Sequence, residues 1–213
     1  MERSPPVRVL SIKELVMIRE AEVFVLADQA AVRVFLQIRQ EQWDTQLAPL
    51  FDMPGADQPT PLRQAVNHHA YDDAWVPDML AGRTMDAVGR DRFDGDLLGS
   101  DPHHNITRIA DAACEAARQV TDRDAIVHCS YGDVPVWDYF WQLNIARSLA
   151  ANDVAAHIGV ECPLSEELSR GMWEGTAPSA GMWRSFGIFR EPVPVSEDAP
   201  WRDRFLGLTG RRP

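Results

Sequence analysis

Two adjacent histidines, His68 and His69, are each followed four residues later by an aspartate, Asp72 or Asp73. Residues four apart on an α-helix lie one turn above each other, so each imidazole can contact a carboxylate, which would raise its pKa. A histidine in this setting can transfer protons, bind a metal ion or carry a structural charge. For His68 we favour a partly buried pair with Asp72 over a metal ligand or proton-transfer group. For His69 the charge pair is favoured more strongly.

Two polar residues, Asn144 and Arg147, interrupt a long segment that is otherwise nearly apolar. A buried guanidinium must find a carboxylate, a cluster of carbonyls or an anionic ligand, because an unpaired buried charge is costly. We predict an internal salt bridge from Arg147 to Asp72 or Asp138. The alternative is that Arg147 receives the carboxylate of a small acid, in a pocket to which Asn144 and Trp141 also contribute.

That segment is the clearest helix in the sequence. Asp133 is suited to cap its N-terminus, Pro135 to occupy the first turn, and Gly159 to end it in a left-handed conformation. Apolar residues between these ends recur at steps of three and four and form one stripe: Val136, Tyr139, Phe140, Leu143, Ala146, Ala150, Val154 and Ile158. Further apolar residues surround the stripe, so we predict a helix at the centre of a bundle.

Three other helical patterns precede it, at about residues 12–43, 60–81 and 105–121. Thr60 is predicted to cap the second of these helices, with Pro61 at its first position, and Pro77 to kink its last turn. Almost no alternating strand pattern is present. These features predict an all-α protein built as a four-helix bundle.

The character of the sequence changes after the fourth helix. Ser165 is predicted to cap a short helix, and residues 201–208 to form a closing helix. We expect residues 1–160 to form the bundle with an N-terminal arm. We expect residues 161–213 to form a C-terminal extension that packs on the bundle within a single structural domain.

Composition narrows the classes of function. The chain has 213 residues, of which 45% are hydrophobic and 25% charged, as in ordinary globular proteins. Its formal net charge of −11 would repel a phosphate backbone, and no basic run offsets that charge, so we expect no nucleic-acid partner. The sequence has no membrane-length apolar run and no pattern of a secretory signal. We therefore predict a cytoplasmic location and no membrane partner.

The cysteines offer little chemistry. Cys114, Cys129 and Cys162 are odd in number and contain no C-x-x-C pair, which argues against a disulfide framework or a zinc–thiolate site. A reactive thiol needs a helix N-terminus or a nearby cation, and Cys129, beside His128, is the cysteine that has a hint of either. Buried small hydrophobic residues are the favoured interpretation for all three cysteines.

Several short motifs resemble the DinB-like superfamily, specifically its actinobacterial maleylpyruvate-isomerase-like branch. They are Asn67-His68, Met79-Leu80-Ala81-Gly82-Arg83, Gln142-Leu143 and Asp153-Val154-Ala155. The tail resembles an uncharacterised group of that branch through the segments Leu168–Thr176, Met182–Gly187 and Leu206–Arg211. The resemblance covers most of the chain from about residue 60 onward, and the order and spacing of the motifs carry it.

The resemblance implies a four-helix bundle that holds a divalent metal ion with three side chains. In characterised members that ion works together with a low-molecular-weight thiol such as mycothiol. The family's first ligand is a histidine of the second helix, which corresponds to His68. The other two form an acid-or-histidine, three residues, histidine arrangement just before the aspartate that corresponds to Asp153. Here those two positions are Ala146 and Ala150, so one ligand of three is present.

A catalytic zinc site typically needs three protein ligands, which a single histidine cannot replace. A substitute set for zinc or nickel could combine His68, Asp72 and His157. Asp153 and His157, however, lie seven residues beyond the family's ligand positions, about 10 Å along the helix at about 1.5 Å per residue. A substitute site at the family's depth in the bundle is therefore hard to build.

Two functional hypotheses follow, and neither assigns a catalytic residue. The leading one is a DinB-like protein with an incomplete metal site and a non-enzymatic role in small-molecule binding or interaction. The alternative is a metal-assisted, mycothiol-dependent isomerase or transferase whose altered ligand set includes His68. A third hypothesis concerns assembly: a symmetric homodimer, the commonest form of oligomer.

Overall fold

The structure is a computed structural model that describes residues 16–213. The predicted N-terminal arm lies outside the described residues. The helices are, in chain order, α1 (Arg19–Phe35), α2 (Leu62–Leu80), α3 (Met85–Val88), α4 (Pro102–Arg118), α5 (Val136–Ile158), α6 (Glu166–Thr176), α7 (Ala180–Ser185) and α8 (Trp201–Leu208). The strands are β1 (Gln46–Leu47), β2 (Thr60–Pro61), β3 (Ile126–Cys129) and β4 (Gly132–Pro135). They form two separate antiparallel pairs, β1 with β2 and β3 with β4.

The four long helices α1, α2, α4 and α5 pack together, which confirms the prediction of a mainly helical, bundle-type structure. Helix α1 contacts both α4 and α5, and α2 contacts α4. Ala27, Ala30 and Ala31 of α1 are fully buried, and such small side chains allow neighbouring helices to approach closely. No helix within residues 16–213 combines the length and apolar character that crossing a membrane requires.

The prediction for the start of α5 is wrong. Asp133 belongs to β4 and pairs with His128 of β3, and its Oδ1 lies 2.7 Å from the Nδ1 of His128. Pro135 occupies the N-cap position, and the helix begins at Val136. These residues belong to the hairpin because their backbones pair with residues of β3. Gly159 ends the helix with a φ of 75°, as predicted.

The first two helices also differ from their predicted bounds. Helix α1 ends at Phe35, well before residue 43, and a 3-10 turn at Gln40–Gln42 follows it. Thr60 does not cap α2, because Thr60 and Pro61 form β2, with Pro61 as the N-cap residue. Pro77 lies inside α2, where it was expected.

Two later helices begin at capping side chains. Asp101 Oδ1 accepts a hydrogen bond from the His104 amide at 3.1 Å, so α4 starts earlier than the predicted residue 105. Ser165 Oγ accepts from the Leu168 amide at 3.1 Å, which confirms Ser165 as the cap of α6. Each cap satisfies an amide that the first helical turn leaves without an intrahelical acceptor.

Helix α6 packs directly on the long helices through two glycines. A Cβ at Gly171 would lie 2.9 Å from Val23 Cγ2 of α1, and a Cβ at Gly175 would lie 2.0 Å from the ring of Trp141 on α5. Only a residue without a side chain fits at such distances. The C-terminal extension is therefore joined to the bundle by close packing at α6.

Candidate functional site

An open groove of about 790 Å³ runs beside α2 and α5, with the loop between β1 and β2 forming one wall. We call it the α2–α5 groove. Most of its lining is apolar: Phe35, Leu47, Pro49, Leu50, Phe51, Pro59, Pro61, Ala65, Val66, Ala150 and Val154. Polar groups come from Gln64, Asn67, His68, Tyr71 and Asp94. Its size and composition are those of a small-molecule site.

The C-terminal extension holds the wall of this groove in place. Arg211 donates from Nη2 to the Leu50 carbonyl at 2.9 Å, and the Asp52 amide donates to the Gly187 carbonyl at 2.8 Å. Gly187 has a φ of +76°, and a Cβ there would lie 2.7 Å from the backbone carbonyl oxygen of Asp52. The wall loop depends on the tail for its position, because the tail supplies these backbone contacts.

His68 lies at the surface of the groove. Its side chain is 76% exposed, and its Nε2 lies 3.9 Å from Asp72 Oδ2. The predicted pairing with Asp72 is therefore long, and the histidine is exposed rather than partly buried. The imidazole stacks nearly parallel to the ring of Tyr71, with the centroids 6.3 Å apart. His68 is thus accessible to a molecule in the groove.

His157, a member of the substitute ligand set, and Asp153, one turn before it on α5, are engaged elsewhere. Both carboxylate oxygens of Asp153 accept hydrogen bonds from Arg211, at 2.8 and 2.7 Å. His157 is exposed, and its Nε2 lies 2.8 Å from Thr45 Oγ1. Asp153 and His157 therefore serve the tail and the segment before β1 rather than a site at His68.

The residues at the family's ligand positions do not fit a metal ion. Ala150 lines the groove together with His68, but Ala146 and Ala150 offer methyl groups and no donor atom. Within residues 16–213, His68 belongs to no group of three potential ligands whose donor atoms lie close together. Nor is any Lys or Arg among the described lining residues, so the groove also lacks a cation that could stabilise the thiolate of a thiol such as mycothiol.

A second polar region lies in the middle of the bundle. We call it the charged centre: Asp28 of α1, His69 and Asp73 of α2, and Arg147 of α5, all of them buried. His69 Nε2 lies 3.0 Å from Asp28 Oδ1 and 3.2 Å from Asp73 Oδ2. Arg147 forms an ion pair with Asp73 through Nη2, and its Nε lies 3.5 Å from Asp28 Oδ1. The centre thus links three of the four long helices.

The partners predicted for Arg147 are wrong. The guanidinium contacts Asp73 and Asp28 instead of Asp72 or Asp138. Successive helical residues are rotated by about 100° relative to each other, so Asp73 points into the bundle while Asp72 remains partly exposed. The anionic groups that Arg147 contacts are the protein's own carboxylates.

Burial and mutual attraction oppose each other in the charged centre. Burial disfavours the charged form of His69, but the charge of Asp73 and the hydrogen bond with Asp28 outweigh it and raise the pKa of His69 to about 9. Burial likewise opposes ionisation of Asp73, but Arg147 and His69 lower its pKa below the ordinary value. Burial and the neighbouring charge of Asp73 raise the pKa of Asp28. A protonated His69 is therefore favoured, as predicted for a charge pair with Asp73.

The charged centre also has the donor atoms of a metal site. One ligand atom each from Asp28, His69 and Asp73 lies within 4.8 Å of the others. Arg147 and His69, however, each already contact both carboxylates. The side chains of Arg147 and His69 therefore make the contacts with the carboxylates that a bound metal ion would make.

Four of the predicted pocket residues do not line the groove: Asp72, which lies beside His68, and Arg147, Asn144 and Trp141. Arg147 is only 1% exposed and lies over the ring of Phe24, 4.8 Å from its centroid. Asn144 is fully buried and donates from Nδ2 to the Glu20 carbonyl at 3.0 Å. Trp141 packs against α6. These last three residues hold helices together, and none of them lines the groove.

Sequence reasoning missed Asp28, although the sequence contains a signal for it. Asp28 interrupts the apolar face of α1 between Phe24 and Ala31, much as Arg147 interrupts α5. Opposite charges set in two apolar helix faces are candidates for a buried pair, because neither can be buried alone at low cost.

The cysteines behave as buried or partly buried thiols. Cys114 donates from Sγ to Asp28 Oδ2 at 3.3 Å, and burial together with that carboxylate raises its pKa. Burial also raises the pKa of Cys129, so its thiol is less ionised than usual rather than more. The hint of reactivity at Cys129 therefore finds no support in its surroundings.

Comparisons of this chain with protein-family models, with curated proteins and with solved structures found no match.

Proposed function

We propose that this chain is a DinB-like protein of the maleylpyruvate-isomerase-like branch that binds a small, largely apolar molecule in the α2–α5 groove, without metal-dependent catalysis. One observation carries the proposal. His68 and Ala150, which correspond to two of the family's three ligand positions, line the same groove. A groove therefore exists where the resemblance implies chemistry, but its donor atoms have been replaced by a methyl group.

The replacement changes what the groove can hold. A histidine side chain at position 150 would fill space and demand a polar partner, whereas alanine leaves room and adds apolar surface. The surrounding Phe35, Val66 and Val154 extend that surface. An apolar molecule that leaves water for this lining gains about 25 cal/mol for each Å² of apolar surface buried.

Two of the polar lining residues, Asn67 and His68, differ in how far they are free to contact a ligand. Asn67 is committed to the loop before α4, because its Nδ2 donates to the Gly95 carbonyl at 2.9 Å and its Oδ1 accepts from the Leu97 amide at 2.7 Å. His68 is exposed, so its imidazole can make a hydrogen bond with a bound molecule. The arrangement supports recognition by shape and apolar contact, with the imidazole of His68 among the polar groups that can orient a bound molecule.

The proposal is tested with N-phenyl-1-naphthylamine, a neutral apolar dye that fluoresces strongly when it leaves water. We expect saturable binding with one site per chain and a dissociation constant on the order of 10 μM, a typical value for a ligand of this size. Ala150→Trp should abolish the signal because the indole fills the groove. Ala156→Trp, on an exposed face of the same helix, is the matched control and should bind like the wild type.

Both variants are first checked by circular dichroism and thermal melting. Dye binding that survives in a folded Ala150→Trp protein would place the site elsewhere and refute the proposal. The absence of saturable binding to the wild-type chain would refute it as well.

A further inference from the structure

We infer that the α2–α5 groove selects against anions and takes neutral or cationic apolar molecules, an inference that rests on the proposed function. Among the described lining residues Asp94 is the one that carries a full charge, and none is Lys or Arg. Asp72, whose Oδ2 lies 3.9 Å from His68 Nε2, is not among the lining residues. The fixed charge of the described lining is therefore that of Asp94, which is negative.

Three arginines that adjoin or contact residues of the groove are already engaged with carboxylates of the protein. The pairs are Arg63 with Asp96 at 2.8 Å, Arg190 with Asp52 at 3.5 Å, and Arg211 with Asp153 at 2.7 Å. Each guanidinium also donates to a backbone carbonyl, that of Gly99, Pro49 or Leu50. An anionic ligand would have to displace one of these contacts to pair with any of the three arginines.

An anion in the groove would therefore lose hydration without gaining an ammonium or guanidinium partner from the described lining. Moving a carboxylate or sulfonate from water to an apolar surface is costly unless it is paired. The net charge of −11 adds a long-range repulsion that slows the approach of anions. An amine gains instead, because the exposed carboxylate of Asp94 can accept its hydrogen bond.

Two matched pairs of probes test this selectivity. N-phenyl-1-naphthylamine and 8-anilinonaphthalene-1-sulfonate share one skeleton and differ by a sulfonate. We expect the neutral dye to bind at least about tenfold more tightly, which corresponds to about 1.4 kcal/mol. Octylamine and octanoate share an alkyl chain, and octylamine should displace the neutral dye at a concentration at least about tenfold lower than octanoate.

A charge reversal at Asp94 tests whether this residue causes the difference in affinity between the two dyes. Asp94→Lys should tighten binding of the sulfonate dye and narrow its gap to the neutral dye. Asp111→Lys changes the net charge equally at an exposed position of α4 and should leave the gap unchanged. Thermal melting confirms that both variants are folded.

The outcomes separate the two claims. Saturable binding of both dyes with equal affinity, or octanoate competing as well as octylamine, would overturn the selectivity while leaving the proposed function intact. An unchanged gap in Asp94→Lys would overturn the role of Asp94. If neither dye binds the wild-type chain, the proposed function itself fails.

Discussion

His68 and His69 are neighbours in the sequence and differ completely in their surroundings. The side chain of His68 is 76% exposed at the α2–α5 groove, whereas that of His69 is 7% exposed within the charged centre. A rotation of about 100° per residue on α2 is sufficient to separate them. The position of a histidine around the helix axis, rather than its residue type, therefore decides whether its imidazole is exposed to a ligand or buried in contact with other helices.

The same contrast holds for the two regions as a whole. The charged centre contains two carboxylates, an imidazole and a guanidinium that contact one another. The groove contains an exposed histidine, His68, and one methyl group, that of Ala150, at two of the three positions where the family resemblance implies ligands. The charged side chains of the charged centre join helices. The groove has one imidazole where the resemblance implies three metal ligands.

The largest expected effect comes from removing the cation of the charged centre. Arg147→Met leaves Asp28 and Asp73 buried with His69 alone, and breaking a buried ion pair on one side typically costs about 3–5 kcal/mol. Urea unfolding should show a loss of free energy in that range. Arg33→Met, at an exposed position of α1, is the control and should change the free energy of unfolding by less than about 0.5 kcal/mol. Equal losses in the two variants would show that the centre contributes no special stability.

The second effect distinguishes the two histidines by pH. The pKa of His69 is raised from 6.5 to about 9 in the folded protein. The stability that comes from its protonation is therefore complete below about pH 6.5 and is lost as the pH rises through about 9, a total of about 3 kcal/mol. Urea unfolding from pH 6 to pH 10 should show this decline.

His69→Gln should remove the decline, because glutamine does not titrate. His68→Gln is the matched control, one residue away, and should retain it. A decline of the same size in both variants would assign the pH dependence to other groups.

A smaller effect is expected at the wall of the groove. Arg211 is 5% exposed and joins Asp153 of α5 to the Leu50 carbonyl. Arg211→Met should cost about 2 kcal/mol, in line with hydrogen bonds to a charged group, and should weaken dye binding because the wall loses its anchor. Arg202→Met removes a guanidinium that contacts an adjacent aspartate, and should leave dye binding unchanged. Unchanged dye binding in a folded Arg211→Met protein would show that the tail does not position the wall.

The smallest effect on stability is expected from His68. His68→Ala removes an exposed side chain whose nearest carboxylate is 3.9 Å away, so the free energy of unfolding should change by less than about 0.5 kcal/mol. Thermal melting of the variant and the wild type measures this. A loss larger than about 1.5 kcal/mol would mean that His68 belongs to the structural core of the bundle.

The periodic apolar positions were sufficient to predict the long helices, because burial of one helix face dominates their formation. They could not predict the β3–β4 hairpin, which is too short to show an alternating pattern and takes Asp133 from its expected capping position. The sequence also suggested the charge pair of His69 with Asp73. It marks Asp28 as a charge in an apolar helix face but does not show that His69 is its partner, because that contact joins residues 41 positions apart and depends on how the helices pack.

The groove was the least predictable feature. The resemblance pointed to His68 and Ala150, but the wall loop and its anchors at Gly187 and Arg211 come from distant parts of the chain. Local patterns carry no information about such contacts, because they arise only when the tail folds back on the bundle.

The most direct test of the contrast between the two regions is the zinc content of the chain. The protein is purified without a chelator, incubated with an equimolar amount of zinc, desalted and measured by mass spectrometry of the metal. Our account predicts no retained zinc in the wild type. In the groove, His68 is the one donor at the positions that the resemblance implies, and in the charged centre Arg147 already contacts both carboxylates. About one retained ion per chain that disappears in His68→Ala would contradict our account of the groove, and one that disappears in His69→Gln would contradict our account of the charged centre.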